Sequence, residues 1–411
     1  MDIFIFFSIL ITLAAVFGYV NLRLFKLPSG ILYVIMGTIT AIALIIAGRF
    51  FPSFSQYIQQ KLLALDFSEF LLGILLSFLL FAGSMRLSLG EMMASGKSIA
   101  VFSTLGVVIS TILFGSIAYY ILQLFSFDVP YINCLLFGAL ISPTDPVAVL
   151  SILKKSKISP AIKIKIEGEA LFNDGVGIVV FITIMQVAIT GVENLKFSSV
   201  LLLFLQQAIG GIVMGILIGY IGFRLVKTID DFQTEILITL AMVMGGYSLC
   251  HFLHVSGPLA MVVAGLITGN KSIGEGMSDT TREYVEKFWE ITDEVLNAIL
   301  FILIGLQLAI ISFQFNLLIV GIIFAVLLLL VRYVSLWLPA ILFFMKKERK
   351  NKTLPIMTWG GLRGGISIAL ALSLPQTMYK DIFVPVTFTI VLFSIIVQGF
   401  SMKWFVKKVA K

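Results

Sequence analysis

Apolar runs of about 20 residues recur along the whole chain, and a run of that length crosses the hydrocarbon core of a bilayer as a helix. Of the 411 residues, 59% are hydrophobic and only 12% are charged, where an ordinary soluble domain carries roughly 25% charged residues. No soluble core absorbs that surplus. In lipid the backbone has to satisfy its own hydrogen bonds, and helices do so span by span. The pattern therefore predicts an all-α polytopic membrane protein. The opening stretch MDIFIFFSILITLAAV lacks the basic flank of a signal peptide and is expected to remain as the first helix. Cys134 and Cys250 both fall in apolar runs, which gives neither a disulfide framework nor a thiolate metal spacing.

Thirteen spans are expected, near residues 3–21, 30–48, 67–85, 98–124, 131–153, 161–190, 198–226, 232–252, 255–269, 284–311, 316–345, 354–374 and 382–405. Twenty-one of the 29 Lys and Arg residues follow odd-numbered spans, and only Arg49, Lys61, Lys196 and Lys380 follow even ones. By the positive-inside rule the odd loops and the C-terminus are cytoplasmic and the N-terminus lies outside, in a cell (inner) membrane. The net charge of +7 then reflects cytoplasmic loops and not a nucleic-acid surface. A single transmembrane unit over residues 1–411 is expected, with no appended soluble domain.

An ionisable residue inside a span costs about 2.5–3.5 kcal/mol and is a functional candidate by default. Four stand out: Asp145 in ISPTDPVAV of the fifth span, Glu169 and Asp174 in EGEALFNDGVG of the sixth, and Arg363 in WGGLRGGIS of the twelfth. The fifth span is also broken. Pro143 and Pro146 remove two backbone donors and disfavour helical geometry at Ser142 and Asp145. In the twelfth, Gly360, Gly361, Gly364 and Gly365 tolerate unwound backbone. Prolines and glycines are common in membrane helices as kinks and close-packing points, but two interrupted segments that each carry a charge point to function. The two breaks lie seven spans apart. Residues of about 1–190 and 232–411 thus read as inverted repeats joined by a connecting helix near 198–226, the architecture of secondary transporters with two discontinuous crossing helices.

On the sixth span Glu169 and Asn173 share one helical face, and Ala170 and Asp174 the adjacent one. Arg363 has no carboxylate near it in sequence, and a lone buried guanidinium is untenable. A structural ion pair between Glu169 and Arg363 is therefore expected. Asp174 and Asp145 are then expected to be carboxylates without a fixed cation. Desolvation disfavours the charged form of a carboxylate, so such a group can hold either a proton or a hard cation. A hard monovalent cation wants oxygen ligands, which Asp174, Asp145, Thr144 and water can supply, while Asn173 can brace Thr144 and the broken backbone. Proton and cation then compete for one carboxylate, and loading one expels the other. That is a device for exchange with no cofactor and no nucleotide.

Together, EGEALFNDG, SPTDPVAV, HVSGPLAMVVAGL, LIGLQL and WGGLRGGISIALALSLP resemble the monovalent cation:proton antiporters of the NhaP and NHE type (sodium/hydrogen exchangers), in the right order over nearly the whole chain. The resemblance implies an NhaA-like fold of thirteen helices, crossed unwound helices five and twelve, a homodimer, elevator-like alternating access and a role in pH homeostasis. It also implies electroneutral one-for-one exchange of Na+ (or Li+) for H+ from the Asn-Asp pair. Carried over by position, Asp174 is the proton and cation carrier, Asp145 and Thr144 are ion ligands, Asn173 braces the crossing, and Glu169 with Arg363 forms the core ion pair. Three positions depart from the family pattern. Ala170 stands where Ser or Thr is usual, Ala82 where an acid is common, and His251 where Glu is frequent. His251 is a candidate for pH tuning, since histidine titrates near neutrality, or simply a polar residue at a helix end.

Other polar residues read more plainly. His254 is a loop or cap residue, and Trp289, Trp337, Trp359 and Trp404 are interface anchors near span ends. Asp293, Glu294 and Asn297 mark a solvated helix start or an acidic funnel, Asp230 and Asp231 cap the eighth span, and Gln206 and Gln207 serve hydrogen bonding between helices. The chain has no phosphate loop, His/Cys metal cluster or catalytic triad, so no enzyme is expected. Potassium:proton exchange shares the same residues. A cation channel or a transport-inactive membrane sensor are the readings from other classes. Monovalent cation, proton and lipid are the expected partners, with no nucleic acid.

Overall fold

The computed structural model describes residues 3–51, 70–145, 149, 160–191, 197–309, 314–343 and 353–410. Pro146 and several of the loop cations, Lys154 and Lys350 among them, lie outside the described residues. Described helices stand at all thirteen expected positions. The first half comprises α1 (Ile3–Val20), α2 (Ser29–Phe50), α3 (Leu76–Met85), α4 (Gly96–Leu124), α5 (Tyr131–Ile141) and α6 (Pro160–Thr190). Then come α7 (Phe197–Val226), α8 (Phe232–Phe252), α9 (Gly257–Ile267), α10 (Asp279–Leu306) and α11 (Phe315–Leu342). Two elements are divided: α12 into Thr353–Trp359 and Gly365–Leu372, and α13 into Lys380–Phe393 and Gly399–Ala410, joined by a π-helical segment Ser394–Gln398. Among the described residues nine helices are long and apolar enough to cross a membrane. The strand-like pairing among them is one isolated antiparallel bridge between Asp145 and Leu362.

Local chemistry sets several boundaries. Asp231 caps α8, accepting from the Thr234 hydroxyl (2.6 Å) and backbone N–H (2.9 Å). The hydroxyl bond first and the amide bond second hold the Asp231 carboxyl below its ordinary range. A lowered folded-state value means that the cap's contribution is present at neutral pH and is lost as pH falls through that value. Ser256 and Ser278 cap α9 and α10 in the same way, through the N–H groups of Leu259 and Thr281. His254 sits in the left-handed region (φ 54°) between α8 and α9, and Gln207 of α7 donates to its carbonyl (3.1 Å).

Small residues let helix backbones approach closely where polar glue is scarce. Gly37 of α2 and Gly305 of α10 meet backbone to backbone, so a Cβ on either lands within 3 Å of the partner's main chain. One apolar cluster gathers parts of α3, α4, α5, α6, α8, α9, α11 and α13, and another gathers parts of α1, α2, α10 and the first half of α12. The breaks in α5 and α12 join them: Ile141 and Leu370 belong to one cluster, Leu362 and Met357 to the other.

Trp289 corrects the sequence reading. It is fully buried, donates its indole N–H to the Thr239 hydroxyl (3.0 Å) and packs on Phe81 with centroids 4.8 Å apart. The helix begins at Asp279, five residues before the expected span, which carries Trp289 inward against α3 and α8. Trp337 and Trp404 are exposed, as anchors are.

Candidate functional site

The α5 helix ends at Ile141 because Pro143 cannot donate to the next turn. Ser142, expected to leave helical geometry ahead of that proline, keeps it (φ −70°, ψ −34°), and the chain unwinds from Pro143. In α12 the first half stops at Trp359, and the backbone stays unwound through Gly360–Gly364 before the second half starts. The two unwound stretches cross. The Asp145 N–H donates to the Leu362 carbonyl (2.8 Å), and a Cβ on Gly364 would run into the Asp145 carboxyl. Gly364 is needed for closeness and not for its φ of −132°.

Arg363 serves the crossing from the other side. Its Nη1 donates to the carbonyls of Ser142 and Pro143, the latter at 2.9 Å. These are carbonyls freed by the proline break, and unsatisfied carbonyls at membrane depth are costly. The guanidinium is 3% exposed.

The α6 helix brings up the carboxylates. Gly177 lies against the Pro143 ring and Gly175 against Leu259 of α9, both at distances a Cβ would violate. Glu169, Asn173 and Asp174 are all buried. The Asn173 amide Nδ2 donates both hydrogens, to the Thr144 hydroxyl (2.8 Å) and to Glu169 Oε1 (3.1 Å). Thus the brace between Asn173 and Thr144 that the sequence suggested is a contact in the structure.

The pairing of Glu169 with Arg363 is a correction. Glu169 Oε2 accepts from Arg332 Nη2 of α11 at 2.7 Å, with both side chains no more than 3% exposed. Arg363 is committed to the α5 carbonyls, so the guanidinium free to meet Glu169 comes from another helix. Arg332 was legible as a charge in LLLLVRYVSLW, in the middle of an otherwise apolar span, under the same rule that singled out Arg363.

Asp174 is 5% exposed, and its Oδ1 is buried with no hydrogen-bond donor among the described residues; the same holds for Asn173 Oδ1. Asp145, Glu169 and Arg363 are its charged neighbours. Asp174, Asp145, Thr144 and the carbonyls of the crossing therefore form an oxygen-rich centre inside apolar walls. Such a set suits a proton or a hard monovalent cation. Among the described residues no group of three or more His, Cys, Asp and Glu side chains could hold a metal ion.

The remaining candidates lie elsewhere. Ala82 is buried in α3, and His251 is exposed in the last turn of α8. Asp293 of α10 pairs with Arg86 (3.0 Å) and accepts from Asn297 (2.9 Å), so it is neither freely solvated nor an open funnel acid. Cys134 and Cys250 are free and buried.

Residues 10–408 match the model of a transmembrane sodium/hydrogen exchanger family. A protein named Na(+)/H(+) antiporter NhaP from Pseudomonas aeruginosa is 42% identical over 407 residues, covering 97% of this chain and 95% of that one. A Na(+)/H(+) antiporter NhaH from Halobacillus dabanensis is 31% identical, covering 98% of each. The solved sodium proton antiporter MjNhaP1 from Methanocaldococcus jannaschii superposes with a TM-score of 0.75 at 20% identity, over 98% of this chain and 97% of that one. The last likeness speaks for the fold.

Proposed function

This chain belongs to the sodium/hydrogen exchanger family, and from that premise we propose that it is a secondary active antiporter exchanging Na+ for H+ across the membrane. The observation that carries the proposal is Asp174: a buried carboxylate with an oxygen that no donor among the described residues satisfies, beside two crossed helix breaks. A proton or a cation can complete that carboxylate, and the two exclude one another. Asp145 and Thr144 are the further ligands, and Asn173 fixes the Thr144 hydroxyl where a cation would meet it. The Glu169–Arg332 pair and the Arg363 contacts to the α5 carbonyls hold this geometry without competing for the ion. The exchange is one-for-one and electroneutral, Li+ can replace Na+, alternating access is elevator-like, and the working assembly is a homodimer.

The test is an initial-rate series in sealed proteoliposomes against Na+, Li+ and K+, across pH, with and without a voltage clamp. Sodium-driven proton movement that is indifferent to voltage is expected. A response to K+ alone would overturn the choice of cation, and flux insensitive to an imposed pH gradient at fixed voltage would mean a channel.

Ala170 gives a second measurement. It is buried one helical turn before Asp174, so Ala170→Ser adds a hydroxyl to the face that presents the carboxylate. The half-saturating Na+ concentration is expected to fall about three- to tenfold, the worth of one added polar contact. An unchanged value would remove that face from the ion's reach.

A further inference from the structure

The unwound part of α12 leaves backbone groups at both edges that need partners, and both are met by one pair of side chains on α13. At the leading edge, the Trp359 carbonyl accepts from Gln398 Nε2 (3.1 Å). At the trailing edge, the Arg363 N–H donates to the Ser394 hydroxyl (2.9 Å). The pair is closed on itself, since the Ser394 hydroxyl donates to Gln398 Oε1 (2.6 Å). Both residues are buried, at 1% and 4% exposure. They are the first and last residues of the π-helical segment Ser394–Gln398, and single-turn π insertions in α-helices recur at functional sites.

The tail of α13 reinforces the leading edge. Trp359 donates its indole N–H to the Ser401 hydroxyl (3.1 Å) and stacks on Phe405 with centroids 4.9 Å apart. A small cavity lies behind the break, lined by Ser394, Gln398, Thr358, Gly361, Arg332 and Arg363. The cavity leaves this side of the break incompletely packed, so the hydrogen bonds share in holding the unwound segment.

What they hold reaches the ion centre within two links. The backbone of Arg363 carries the guanidinium that engages the Ser142 and Pro143 carbonyls, and its neighbour Leu362 supplies the carbonyl that receives the Asp145 N–H. We propose that Ser394 and Gln398 are positioning residues that fix the unwound α12 strand and thereby set the cation affinity of the centre formed by Asp145, Thr144 and Asp174. This rests on the ion-centre reading given under the proposed function. Neither residue touches the ion. Their loss widens the spread of positions of Asp145 and the α5 carbonyls, which weakens cation binding more than it slows the transport cycle.

The test compares Ser394→Ala, Ser394→Thr and Gln398→Met with the wild type in proteoliposomes, titrating Na+, Li+ and K+ at fixed pH. Amide hydrogen exchange over residues 356–366 is measured in parallel. Ser394→Ala and Gln398→Met are expected to raise the half-saturating concentration of the transported cation about three- to tenfold, the worth of one backbone hydrogen bond, with the maximal rate changed less than about twofold. The Arg363 amide should exchange faster in Ser394→Ala, and Ser394→Thr, which keeps the hydroxyl, should restore both readouts. Gln398→Met, close in shape and without polar atoms, serves should Ser394→Ala fail to fold. Unchanged half-saturation in both variants, or a fall in maximal rate alone, would overturn the proposal. If the wild type itself responds to none of the three cations, it is the exchange function that fails. Amide protection at Arg363 then decides the clamp alone, with unaltered protection in both variants counting against it.

Discussion

Asp174→Asn is expected to reduce sodium-driven proton movement to the level of protein-free vesicles while leaving the chain folded. Asn matches Asp in shape, so the packing between Gly175 and Leu259 and between Gly177 and Pro143 is undisturbed. What disappears is the capacity to take a proton in one half of the cycle and balance a cation in the other. The carboxylate is buried with an oxygen that finds no donor among the described residues, so it contributes little to stability, and removing a poorly satisfied buried charge is often neutral or favourable. The melting temperature in detergent should therefore be no lower than that of the wild type. Transport retained in the variant would sink the mechanism, and an unfolded variant would show that Asp174 has a structural duty the geometry does not suggest.

Arg332→Met should produce the largest loss of stability, about 3–5 kcal/mol, the cost of leaving one member of a buried ion pair behind. Glu169 would keep the Asn173 amide as a donor but lose the guanidinium at 2.7 Å. Glu169→Met in the same chain removes the stranded charge, so the double variant is expected to recover most of the melting temperature. Transport should not recover with it. Asn173 loses its Glu169 partner in the double variant, and its hold on the Thr144 hydroxyl loosens. Thermal unfolding of the two single variants and the double variant, set beside transport rates, separates the structural share of the pair from its share in shaping the ion centre. If the double variant is no more stable than the singles, the pair is worth more than its two charges alone.

Much of the molecule was legible in the sequence because the bilayer imposes local rules. A helix long enough to span lipid, a proline that cannot donate, and a cluster of glycines that tolerates unwinding are each properties of a short stretch. The positions of the helices, the breaks in α5 and α12, and the Asp231 cap followed from them. Asn173 and Thr144 could be linked in advance because Asn173 shares a helix with Asp174 and Thr144 sits within the break. Arg332 could have been found by the same rule as Arg363, since its apolar flanks are equally plain.

Which partner each charge takes could not be read that way. Partner choice depends on how helices rotate and stack, and those quantities are set by many weak contacts between distant parts of the chain. Arg363 sits midway along its span, yet its targets are two main-chain carbonyls more than 200 residues earlier. Carbonyls have no signature in a sequence, and so Glu169 was matched to the wrong guanidinium. Trp289 sat near a span end by count and at the centre of a core by packing, because α10 starts a turn earlier than hydropathy marks it. Ser394 and Gln398 look like ordinary polar residues in a late helix. Only the packing of α13 against the break in α12 turns them into the two partners of a broken backbone. The alphabet of the chain thus determined which segments enter the membrane and where they break, since those obey short-range solvation. The tertiary structure alone decided which groups meet at the breaks, since that is settled by packing across the whole bundle.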